Sequence, residues 1–187
     1  MVAERLSTNP LLTPARVISS SLGRAMETAA AIATAAGVRV TPEARLIEIG
    51  QGEWEGRTHT ELAQTDAERY AAWRAATGGW RIPPGGESID SAEARVRALL
   101  DELERPGPDD TWPVCLVSHG GTLRILARVL LGIGATRTWG LDVDNAAIGV
   151  ALHVDDGWQL ERWNDALHLL GLEPTHVDES EGRPLAL

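Results

Sequence analysis

The chain has 187 residues, 43% apolar and 24% charged, a balance that suits one soluble domain and excludes long disorder. Its net charge of −10 without a basic tract argues against a nucleic-acid surface, and no apolar run approaches the roughly 18–20 residues of a membrane span. The one cysteine, Cys115, excludes an internal disulfide framework or a multi-cysteine metal site; all 17 basic residues are Arg, which points to a GC-rich bacterial genome.

The N-terminus lacks the basic patch and apolar core of a signal peptide, so the expected location is cytoplasmic. Ala3 to Leu6 reads as the end of a helix stopped at Asn9-Pro10. Ala15–Ser19 is a short β-type run, and any of Ser19, Ser20 and Ser21 can cap the Ala-rich helix expected over Leu22–Ala36, which Gly37 closes. Val38–Val40 is a second short strand. Arg45 to Gly56 fits neither period, and its glycines predict a loop of unusual backbone shape. Thr58 and Glu61 have capping-box spacing, with helical pattern running to about Ala76. Gly78–Gly86 is a break. A helix capped by Ser88 carries an apolar stripe at Ile89, Ala92, Val96, Leu99 and Leu103. A polar turn, Arg105–Thr111, leads to Val114–Val117, apolar on both faces like a buried parallel strand. Ser118-His119-Gly120-Gly121 leads into a helix over Thr122–Leu131. A hairpin follows, from Ile148–Val154 through Asp155-Asp156-Gly157 to Trp158–Trp163, and the chain is a loose tail after Gly171. Alternating strands and helices predict an α/β fold with a mostly parallel sheet covered on both sides.

Three residues stand out chemically. His119 follows a buried strand and opens a helix, where ligands of α/β sheets bind and helix amides favour anions. Arg24 lies in the first turn of its helix, where a cation opposes the helix dipole unless an anion lies between them. Glu48, between Ile47 and Ile49, is placed for desolvation to hold it protonated as a general acid, although Glu53 and Glu55 are equally acidic and composition does not choose among them. His59, His153, His168 and His176 lack metal-ligand spacing, Asp142 and Asp144 lack the other ligands of a calcium loop, and Cys115 reads as core. Trp80-Arg81 is a candidate pocket rim. A serine esterase is excluded because Gly-x-Ser-x-Gly is absent.

Ser19–Ala29 around Arg24, Arg45–Gly56 around Glu48, Pro84-Gly85-Gly86-Glu87-Ser88 and Ser118-His119-Gly120-Gly121 together resemble the histidine phosphatase superfamily, the phosphoglycerate-mutase-like fold. The resemblance covers the chain to about Gly171. It implies a three-layer α/β sandwich as a single domain over 1–171, with 58–86 as a lid and 172–187 as a tail. Arg24, His119 and the Gly120 amide would bind phosphate, Glu48 and His119 would be catalytic, and neither metal nor cofactor would be needed. The implied partner is a small phosphorylated substrate, with no nucleic acid or membrane.

One departure is large. The family's nucleophile is the histidine of an Arg-His-Gly motif on its first strand, and no Arg-His-Gly occurs here. Met1 corresponds to the middle of the family's first helix, so the chain reads as N-terminally truncated and inactive as it stands. The full-length form would be a phosphomonoesterase working through phosphohistidine. Alternatives are a phosphoglycerate-type mutase and a non-catalytic phosphate-binding or interaction protein.

Overall fold

A computed structural model describes residues 1–75, 83–105, 111–134, 140–154 and 157–171. The expectations for Trp80-Arg81, His176, the Asp155-Asp156 turn and the tail therefore lie outside the described residues. Helix α1 (Val2–Ser7) precedes strand β1 (Arg16–Ser19), helix α2 (Gly23–Ala36) and strand β2 (Val40–Pro42). Helices α3 (His59–Thr65), α4 (Ala67–Ala75) and α5 (Ile89–Leu103) lead to strand β3 (Val114–Val117) and helix α6 (Gly120–Leu131). Strands β4 (Ile148–Val154) and β5 (Gly157–Asp165) follow.

The sheet order is β2-β1-β3, with both pairings parallel. Alternation along the strands sends side chains to two opposed layers. Val17, Cys115 and Val117 pack with Leu6 of α1 and with Ala29, Ile32 and Ala33 of α2. Ile18, Val114 and Leu116 pack with Leu46 and with Leu99 and Leu103 of α5. The other side of α5 packs on α6 through Ala92, Val96, Leu100 and Ile125. The expected α/β sandwich is therefore present. The strands β4 and β5 form a separate antiparallel hairpin, yet Ile148 and Val150 of β4 share the α2 cluster with Cys115 and Val117 of β3. Among the described residues, no ladder joins β3 to β4.

Local chemistry explains where elements depart from the periodic reading. Strand β2 begins at Val40, because Val38 closes α2: its amide bonds the Ala33 carbonyl beside the left-handed Gly37. No serine side chain caps α2; Leu22 is its N-cap residue, and the Ser20 hydroxyl accepts from the Leu22 amide at 3.2 Å. The predicted helix over 58–76 is two helices broken at Asp66, whose carboxylate accepts the Trp54 indole N–H at 2.9 Å and pairs with Arg69. The capping box at Thr58 and Glu61 and the Ser88 cap are both formed. Strand β3 is half-buried along all four residues, because its outer edge has no described neighbour strand.

Candidate active site

Parallel pairing sends β1 and β3 to the same edge, so the residues after each strand meet there. Ser20 follows β1, and its amide bonds the Val117 carbonyl at 2.9 Å. Arg24 comes from the first turn of α2, which carries no acidic residue. His119 follows β3 and is the N-cap residue of α6. Although 95 positions apart, Arg24 Nε donates to His119 Nδ1 at 3.1 Å. His119 Nε2 lies 2.8 Å from the Ser20 hydroxyl. Both Ser20 and His119 are buried, and Arg24 is exposed.

A guanidinium only donates, so Nδ1 holds a lone pair and the proton of the neutral ring sits on Nε2, aimed at Ser20. The same environment disfavours a charged ring. Loss of water, then the Arg24 and Arg95 cations, pull His119 down to about 4.

Glu48 arrives from the loop after β2 and lies against the first turn of α6. Its Oε1 accepts from the Ile49 amide at 2.8 Å and the Thr122 amide at 3.1 Å; its Oε2 accepts from the Gly121 amide at 3.2 Å. These donors favour the carboxylate, but burial outweighs them and raises its pKa above the ordinary glutamate value. Oε2 has the fewer donors and is the oxygen left to carry a proton. A glycine at 121 is required by this approach: a Cβ there would stand 2.6 Å from Glu48 Oε1 and 3.0 Å from Ile49 Cδ1. Gly120 opens α6 beside His119.

The sequence reading missed Arg95, Glu87 and Thr122 as members of this site. Arg95 lies on α5 within the apolar stripe, next to Ala92, Val96 and Leu99, and a cation in that place was the available signal. Its Nε and Nη2 fork onto Glu87 at 2.8 and 3.0 Å, its Nη1 donates to the Arg45 carbonyl at 2.6 Å, and Nη2 reaches Thr122 Oγ1 at 3.3 Å. The Thr122 hydroxyl donates to the Ile47 carbonyl at 2.6 Å. Residues 45–48, 87 and 122 are thereby tied to one guanidinium. The loop itself is clamped by Glu53 N to Pro84 O and Glu87 N to Gly50 O, both 2.8 Å. Gly52, at φ +57°, presses on the Pro84–Gly86 backbone, leaving no room for a side chain.

The other candidates go elsewhere. His59 Nδ1 lies 2.8 Å from the Tyr70 hydroxyl in an aromatic cluster with Trp54 and Trp73. His153 packs edge-on to Trp158. Asp142 and Asp144 flank β5: Asp142 is beside Arg124, and Asp144 bonds Asn164. Burial pushes the Cys115 thiol up to about 11, which keeps it protonated and inert near neutral pH. Among the described residues, no three His, Cys, Asp or Glu cluster as metal ligands, and no helix is long and apolar enough to cross a membrane.

Residues 2–166 match the histidine phosphatase superfamily (branch 1). The chain belongs to that superfamily. It is 33% identical over 171 residues to glucosyl-3-phosphoglycerate phosphatase of Mycolicibacterium vanbaalenii, covering 81% of this chain and 74% of that protein. It is 34% identical over 168 residues to a probable phosphoglycerate mutase of Erwinia tasmaniensis, covering 87% and 75%. The solved mycobacterial glucosyl-3-phosphoglycerate phosphatase superposes with a TM-score of 0.73 at 31% identity, covering 88% of this chain and 82% of that one. Against the mycobacterial proteins that it matches at 36% identity over 143 residues, one of them described as bifunctional, the chain spans 38% of their length.

Proposed function

We propose that this histidine phosphatase chain carries the phosphate-handling and proton-handling side of a phosphomonoesterase for small phosphorylated metabolites. The observation that carries the reading is the Arg24–His119 contact, closed across the strand ends, with the buried Glu48, whose pKa burial raises, against the first turn of the same helix. Arg24, His119 and the Gly120 amide receive the phosphoryl oxygens. Phosphoryl transfer needs mainly positioning and charge stabilisation, which a guanidinium, an imidazole that takes up a proton beside the anion, and an amide supply without metal.

In the first half-reaction a nucleophilic histidine forms an N–P bond, the ester P–O bond breaks, and Glu48 Oε2 gives its proton to the leaving oxygen. In the second, water attacks phosphorus, Glu48 takes the water proton, and the N–P bond breaks to release phosphate. Of the described histidines, His119 is held at both ring nitrogens, His59 pairs with Tyr70 and His153 packs on Trp158, so none of these three is assigned as that nucleophile. The segment 58–86 serves as the lid.

Phosphatase is favoured over mutase because the stretch between Glu48 and His119 is short, and a mutase must also hold a second phosphorylated group. The test is to offer the 187-residue chain inorganic phosphate and a generic aryl phosphate. Phosphate binding that is lost in Arg24→Ala, without turnover, is the expected result. Robust turnover abolished by His119→Ala would overturn the reading of His119 as a phosphate donor and make it the nucleophile. Absence of phosphate binding would overturn the site itself.

A further inference from the structure

Ser20 lies at this site, though the sequence offered it only as one of three serines able to cap α2. Its side chain is fully buried, its amide is fixed to Val117, and its hydroxyl lies between the Leu22 amide and His119 Nε2. The ring is thus gripped from two sides. Arg24 donates into Nδ1, and Ser20 accepts from Nε2.

We propose that Ser20 is a positioning residue: by holding the Nε2 proton it turns Nδ1 toward the anion position, so that a tetrahedral dianion entering between Arg24 and His119 binds together with one proton taken up at Nδ1. The reason is complementarity. Nδ1 now faces a donor, Arg24 Nε; a dianion is an acceptor only, and a bare lone pair opposite it repels. A proton on Nδ1 turns that contact into a charge-assisted hydrogen bond. The charged groups acting on the ring are Arg24 from α2 and Arg95 from α5, and Glu48, from the loop after β2, accepts from the Gly121 amide two residues further along α6. The two cations disfavour protonation when the site is empty, and the dianion offsets both. The inference rests on the anion-site reading above, and the source of the dianion is a phosphate ester or free phosphate.

Sulfate is the probe, because it stays a dianion across the pH range used. Its binding to the 187-residue chain is measured by titration calorimetry at several pH values, in two buffers of different ionisation enthalpy. The expected result is uptake of close to one proton, with affinity falling about tenfold per pH unit on the alkaline side. Ring ¹⁵N spectra should show the Nε2–H tautomer in the free protein and both nitrogens protonated with sulfate. Ser20→Ala should mix the two neutral tautomers and weaken sulfate severalfold. Ser20→Cys, which keeps the volume but accepts poorly, should do the same if the alanine variant does not fold. Sulfate binding with no pH dependence and no proton uptake would overturn the inference and leave the anion site standing. No sulfate binding by the wild type would overturn both. A ring spectrum unchanged in either folded Ser20 variant would remove Ser20 from the role.

Discussion

The two central acid–base groups are both shifted toward their uncharged forms, and this has opposite consequences for stability. His119 is pulled down to about 4 from 6.5, so between those values the unfolded chain binds the extra proton. Its contribution is present at neutral pH and is lost as pH falls from about 6.5 toward 4. Glu48 is raised, so the folded chain keeps a proton that the unfolded chain releases above 4.5. Its contribution is present in acid and is lost as pH rises through the raised value. Glu48→Gln removes that ionisation. Its melting temperature, less that of the wild type, should therefore grow as pH rises from 4.5 toward 8; a constant difference would mean that Glu48 titrates normally. In the sequence, Arg24 stood out as a cation in a first helical turn and His119 by its place between a buried strand and a helix, while Glu48 was set apart from Glu53 and Glu55 only by the resemblance. Ser20 and Thr122 were not, since a buried hydroxyl is chosen by what lies opposite it, and both face partners far away in sequence.

Among the elements, the start of α6 is the most constrained, because Glu48 occupies the space that a side chain at 121 would need. Gly121→Ala has no backbone objection, so its cost measures that overlap: a loss of about 1–3 kcal/mol, as for overpacking. Ser88→Ala removes a formed cap from α5 and should cost about 1 kcal/mol. Denaturant melts of both variants check these values. Only Gly121→Ala should also weaken phosphate, because it displaces Glu48 beside His119. The helix α2 was legible from its alanine-rich run and glycine stop, α5 from its cap and apolar stripe, and α6 from the strand and the His119-Gly120-Gly121 turn before it. The split at Asp66 was not, since it follows from the Trp54 indole drawing on that carboxylate. The late start of β2 was hidden too, because two valines of equal β-propensity compete and only the close of α2 assigns Val38.

At the scale of the molecule, the three-stranded sheet among the described residues has one strand paired on both sides and two paired on one. Val17 and Ile18 are buried, whereas all of β3 is half-exposed. Backbone amides of β1 should be the slowest to exchange with solvent, and those of β3 faster, although β3 has the more continuous apolar sequence. Equal protection of the two strands would mean that the β3 edge is covered in solution. The α/β class and layer order were legible from alternating strands and helices. The half-exposure of β3 was not, because a run of apolar residues reports what a strand is suited to, and burial depends on which neighbour lies beside it.

The pairing of β1 with both β2 and β3 also orders the assembly of the chain. The β1–α2–β2 unit closes over a short loop, whereas β3 must return across nearly a hundred residues to reach β1, and distant closures are slow. Ser20 and Arg24 lie in the unit that closes locally; His119 arrives with β3. A nascent or partly folded chain thus holds half of an anion grip with no imidazole to complete it, and competence to bind phosphate becomes a report that the last strand has docked.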